Sequence, residues 1–173
     1  MSSAFGAAFD KLDRETQLKI ITNLRVRMQR YVMAMSRGYV ETTKVVIVGD
    51  TPGPGRPTTT GYHHTPFYST KNSSLFVNQK LVEAGIPEES LLWYNSTLAD
   101  GTKLPAHHIL DLERYSPKFI LLGGNAEKWF TTVAPDTPYV KVFHPAYAKR
   151  FHAHEPYALI DEVRKALDEK SST

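Results

Sequence analysis

Between Asp10 and Ser36 the apolar positions Leu12, Leu18, Ile21, Leu24, Met28, Tyr31, Val32 and Met35 fall mostly three or four residues apart. That spacing predicts an amphipathic helix with its arginines on the opposite, solvated face. Lys44-Val-Val-Ile-Val-Gly49 is apolar without alternation, which predicts a strand covered on both faces within a parallel sheet. Leu91–Tyr94, Lys118–Leu122 and Tyr139–Phe143 read as three further strands. Helices are expected over Asn72–Gly85, which opens on polar capping residues and closes on glycine, over Pro105–Tyr115, from Gly123-Gly124 through Phe130, and over 155–170. Between the first strand and the helix at Asn72 lies a long loop, residues 50–70, rich in Pro, Gly, Thr and His; loops of that length inside compact domains are usually functional or disordered.

Strands alternating with helices define an α/β fold, a three-layer α-β-α sandwich around a central four-stranded parallel sheet. The 173 residues fit a single domain: an N-terminal helical segment (1–40), a core (44–150) and a C-terminal helix (155–170). Composition narrows the chemistry. The chain has no cysteine, which excludes disulfides, thiolate metal sites, cysteine nucleophiles and cysteine-held iron-sulfur clusters. Its apolar runs are far short of the roughly 20 residues of a membrane span, and no secretory pattern opens it, so a cytoplasmic protein without membrane partners is expected. The net charge of +3 permits nucleic-acid binding without requiring it. The excess is local: residues 1 to 40 carry seven Lys or Arg against three acids, and Lys149-Arg150 form a second basic point. The first is expected to be a solvated helix face covering the sheet.

In parallel sheets ligands bind beyond the carboxyl ends of the strands. Three groups of residues fall there: Gly49-Asp50-Thr51-Pro52-Gly53-Pro54-Gly55, Asn95-Ser96 and His144-Pro145. The glycine-rich group has neither dinucleotide-binding nor P-loop spacing, which argues against a nucleotide cofactor. Taken singly, Asp50 reads equally as a turn cap, Asn95 as a turn residue and His144 as structural. Their shared position gives them a joint meaning.

In this order and spacing the chain resembles the uracil-DNA glycosylase superfamily over residues 44–150. The resemblance is carried by Gly49-Asp-Thr-Pro-Gly53, by Phe67 within Thr65-Pro-Phe-Tyr-Ser69, by Leu91-Leu-Trp-Tyr-Asn-Ser96, and by Val142-Phe-His-Pro-Ala-Tyr-Ala-Lys-Arg150. Together with Ile120-Leu-Leu-Gly-Gly-Asn-Ala126, the last is most similar to the branch that holds an iron-sulfur cluster, here without its cysteines. The family pattern often has Asp or Asn where Thr51 stands, and the acid occurs one place earlier, at Asp50.

The resemblance implies a monofunctional DNA glycosylase that flips uracil or a related modified pyrimidine out of DNA and hydrolyses its N-glycosidic bond, with no cofactor and no metal. His144, neutral, would hydrogen-bond the pyrimidine O2 as negative charge grows there. Asp50 would orient water, and Asn95 would read the O4 and N3–H edge. Gly49, Thr51, Pro52, Gly53 and Ser96 would line the base site, Phe67 would stack on the ring unless it is a core aromatic, and His64 would roof the pocket from the long loop. Tyr147, or Phe151, would wedge into the vacated stack from a loop over residues 144–151, with Lys149 and Arg150 on phosphates. The expected partner is DNA, single- or double-stranded, and the expected state a monomer. Two alternatives remain: a glycosylase-fold DNA-binding or regulatory protein whose catalysis was lost or altered with Thr51, and an enzyme of free nucleotides.

Overall fold

The computed structural model describes residues 6–38, 42–51 and 65–171. Four strands, β1 (Val45–Gly49), β2 (Leu91–Asn95), β3 (Lys118–Leu122) and β4 (Val140–Val142), form one parallel sheet in the order β2-β1-β3-β4. Helices α1 (Ala7–Asp10), α2 (Arg14–Arg37), α3 (Asn72–Glu83), α4 (His107–Leu110), α5 (Gly124–Val133), α6 (Pro145–Phe151) and α7 (Ala158–Ser171) cover it. No helix among the described residues is long and apolar enough to cross a membrane.

All five residues of β1 and of β2 are buried, as unbroken apolar runs require of strands sandwiched on both sides. Alternation still assigns each residue a face. Val46, Val48, Leu92, Tyr94, Phe119 and Leu121 pack with Tyr31 and Ala34 of α2, Ile109 of α4 and Trp129 and Phe130 of α5. Val45, Ile47, Trp93, Ile120 and Leu122 face the other way, onto Val77 and Leu81 of α3, Ala148 of α6 and Leu159 and Val163 of α7. These are the expected three layers.

Three expectations are corrected. Pro105–Tyr115 is not one helix: α4 ends at Leu110 and a 3-10 turn spans Glu113–Tyr115, closed by Ser116 in the left-handed region (φ 50°). Residues 145–151 form α6 rather than a loop, because His144 caps the helix and Pro145, with its fixed φ and missing N–H, suits the first position. The arginines of α2 do not all face solvent. Arg27 and Arg30 are buried. Arg30 donates from Nε to Leu91 O (2.8 Å) on the edge strand β2 and from its terminal nitrogens to the hydroxyls of Thr42 and Thr43 (2.7 Å each), so it closes a sheet edge that would otherwise offer a free acceptor.

Candidate active site

The strand order reverses between β1 and β3: the chain leaves β1 for β2 on one side and then crosses to β3 on the other. Such a switch point opens a crevice at the carboxyl ends of the strands. Asp50 follows β1 there, and Asn125 stands in the first turn of α5, just past β3. Asn125 Nδ2 donates to Asp50 Oδ2 at 2.9 Å, bridging the crevice. The backbone of Asp50 is fixed too, its carbonyl accepting from Thr97 N (2.8 Å) and from Ser96 Oγ (3.2 Å). Ser96 is therefore a buried support for Asp50, with its hydroxyl engaged by the backbone. Thr51 is exposed at the mouth.

Gly49 and Asn95 are abreast at the ends of β1 and β2. A Cβ at Gly49 would lie 2.8 Å from Asn95 Oδ1 and 3.3 Å from the edge of the Phe67 ring, so only glycine admits both side chains. Asn95 is buried, and no described residue hydrogen-bonds its side-chain amide. Its amide offers a donor and an acceptor side by side to a ligand with complementary polar groups.

Phe67 is half-buried and has φ of 54°, a conformation that costs a non-glycine residue roughly 1 to 3 kcal/mol. Its carbonyl accepts from Asn78 Nδ2 and from Arg27 Nη1, both at 3.1 Å. Arg27 is held in turn by Glu88, with Nε to Oε1 at 2.7 Å and both side chains almost fully buried. Trp93 Nε1 donates to the same Oε1 at 2.9 Å, and the Arg27 guanidinium lies 4.2 Å from the Trp93 ring centroid. The Phe67 ring meets Trp93 edge-on at 5.8 Å and stands 5.7 Å from the His144 imidazole. A buried charged network thus fixes an aromatic side chain in a strained conformation beside the histidine.

His144 is half-buried, just beyond β4 at the start of α6. Its Nδ1 accepts from Ala146 N at 3.1 Å. A backbone N–H only donates, so Nδ1 carries no proton, and the neutral ring bears its hydrogen on Nε2. Burial pushes the His144 pKa down, with the Asp50 charge opposing in part, and the neutral form prevails at pH 7.

The structure therefore brings together Gly49, Asp50, Phe67, Asn95, Ser96 and His144. Pro52, Gly53 and His64 lie outside the described residues. Tyr147, Lys149 and Arg150 are exposed on α6, the helix that His144 caps. The sequence reading missed Asn125, Asn78 and Arg27 as partners of the site; Asn125 alone carried a signal, as the first side chain after the glycines that end β3. A cavity of about 710 Å³ opens at the other end of the sheet, among Lys118, Phe119, Asp136 and Tyr139, and holds none of these residues. Among the described residues no three His, Asp or Glu side chains gather as a metal site. No protein-family model matches this chain, and no curated protein matches it significantly.

Proposed function

We propose that this chain is a monofunctional DNA glycosylase of the uracil-DNA glycosylase type, acting on uracil or a related modified pyrimidine. The observation that carries the reading is the convergence at the strand ends of a neutral imidazole, the Asn95 amide with no hydrogen-bond partner among the described residues, an aromatic residue with a strained backbone and a tethered carboxylate.

Each group has a task in breaking the N1–C1′ bond. The flipped base stacks on Phe67, and its polar edge meets the donor and acceptor of Asn95. As the bond lengthens, its electron pair moves onto the base and O2 becomes anionic. His144 Nε2–H donates to that oxygen, an interaction stronger in the transition state than before it and worth about 3 to 4 kcal/mol. Asp50 accepts the proton of a water whose oxygen adds to C1′, and its charge offsets the cationic sugar. The base leaves as its anion and is protonated from solvent, to which Asp50 gives up its proton, so the products are a free base and an abasic site with no covalent enzyme intermediate.

The test is incubation with oligonucleotides carrying uracil, 5-hydroxymethyluracil, a bulky modified pyrimidine or hypoxanthine, followed by alkaline strand cleavage. Wild type should cleave at least one pyrimidine lane, and His144→Ala should lose about 100- to 1000-fold in rate. Cleavage equal in both proteins would overturn the assignment of His144. DNA binding with no cleavage in any lane would favour a non-catalytic glycosylase-like protein.

A further inference from the structure

Among the described residues Phe143, Tyr147 and Phe151 are 55%, 47% and 58% exposed, and they lie together. Phe143 and Tyr147 have ring centroids 4.8 Å apart, Tyr147 and Phe151 again 4.8 Å, and the His152 imidazole stacks on Phe143 at 5.1 Å with the planes within 3°. The helical i, i+4 spacing puts Tyr147 and Phe151 on one face of α6. The array is anchored from beneath, where Tyr157 donates its hydroxyl hydrogen to Phe143 O at 2.6 Å. Cations accompany it. Lys149 and Arg150 are exposed on the same helix, the Arg150 guanidinium lies 5.2 Å from the Phe151 ring, and α6 contains no acid. Glu155, the neighbouring acid, is paired with His152 Nδ1 at 2.9 Å.

We infer that this ladder is a stacking platform for single-stranded nucleic acid, on which bases next to the flipped nucleotide lie against Phe143, Tyr147 and Phe151 while Lys149 and Arg150 hold the phosphates. It rests on the reading of the adjoining His144 pocket as a base-excision site, and it makes single-stranded DNA the preferred substrate. Half-exposed rings with the Arg150 guanidinium set against Phe151, and with Lys149 on the other flank of α6, fit bases and phosphates, since every base offers a π-face and every linkage a negative charge. A protein partner of this surface would need no such cation spacing. A duplex keeps its bases stacked on one another and leaves the ladder little to bind.

The experiment is fluorescence anisotropy with a labelled oligodeoxyadenylate of about 12 nucleotides, alone and annealed to oligothymidylate. The single strand contains no pyrimidine, so binding is read apart from excision. Wild type should prefer the single strand. Phe143→Ala and Phe151→Ala should each weaken it roughly 5- to 100-fold, Phe151→Tyr should restore it, and Arg150→Ala should reduce the salt slope by about 0.7. Unchanged melting temperatures certify that the variants fold. No binding by wild type, equal affinity for the duplex, or ring variants that bind normally would overturn the platform. So would sedimentation showing that Phe151→Ala abolishes a self-association of the wild type, since the surface then belongs to a second copy. Ring-dependent binding without excision of any base would sink the glycosylase reading alone; excision with ring-independent binding would sink the platform alone.

Discussion

Asn125 and Asp50, 75 residues apart in sequence, share a 2.9 Å hydrogen bond across the gap between β1 and β3. The amide engages one carboxylate oxygen, Oδ2. A hydrogen bond to a charged group is worth about 1.5 to 3 kcal/mol, so Asn125→Ala should slow excision roughly 10- to 100-fold with little change in KM. Single-turnover kinetics check this. An unchanged rate would mean that Asp50 needs no tether.

The His144 imidazole should titrate below the ordinary histidine value near 6.5, because burial disfavours its charged form. Its neutral form then persists as pH falls through 6.5, and the acid limb of excision attributable to it lies below that value. Asp50 opposes the shift, so Asp50→Asn should move the titration lower still. Imidazole proton resonances followed by NMR measure both. A titration moving upward in Asp50→Asn would contradict the coupling.

Stability should fall with acid partly through His108, which is buried against Tyr94 with Nδ1 lacking a partner. Burial first, and His107 second, hold its pKa below the ordinary value. The unfolded chain therefore binds this proton at higher pH than the folded one. Stability rises with pH wherever the unfolded state holds more protons, so the loss begins as pH drops below about 6.5 and ends below the folded pKa. Denaturant midpoints from pH 7 to 5 should decline less steeply in His108→Phe than in wild type. Parallel declines would remove His108 as the cause.

Arg27→Ala should be among the most destabilising substitutions in the protein, at about 3 to 5 kcal/mol, because it strands the buried Glu88 carboxylate. It also frees the Phe67 carbonyl. The double variant Arg27→Met, Glu88→Leu removes both charges and should recover much of the stability while leaving excision impaired, since the Phe67 carbonyl keeps only the Asn78 donor of its two. Urea denaturation with parallel activity separates the two effects. A loss under 1 kcal/mol in Arg27→Ala would show that the pair is not stabilising in its buried setting.

The sheet was legible because β1, β2 and β3 each carry a short unbroken apolar run, and each expected strand overlaps the observed one to within a residue at either end. The edge-sealing role of Arg30 and the Arg27–Glu88 pair were not legible, since periodicity counts arginine as polar and Glu88 stands 61 residues from its partner. Helix α6 was missed where its cap and its proline were read as chemistry alone, although both also start a helix. Gly49, Asn95 and His144 were placed correctly at strand ends by topology. What fixes their neighbours, the Asn125 amide on Asp50 and the Arg27 and Asn78 donors on the Phe67 carbonyl, depends on contacts between distant segments that no local pattern encodes.

Gly49→Ala isolates the geometry of the pocket from its chemistry. The backbone at Gly49 is an ordinary strand paired with Asn95, so alanine brings no conformational strain there. What it adds is a methyl 2.8 Å from Asn95 Oδ1 and 3.3 Å from the Phe67 ring. Both neighbours must yield: the Asn95 amide rotates, and the ring shifts against Trp93. Overpacking of this kind costs typically about 1 to 3 kcal/mol in stability. The larger effect should be on selection, because the amide proposed to read the base edge is the group displaced. Excision of the preferred base should fall by at least about 10-fold, equivalent to roughly 1.4 kcal/mol, while the ratio between preferred and poor bases narrows. Competition between two modified oligonucleotides in one reaction measures that ratio directly. A uniform loss across bases would place the damage on Phe67 stacking, and an unchanged ratio would remove Asn95 from base recognition.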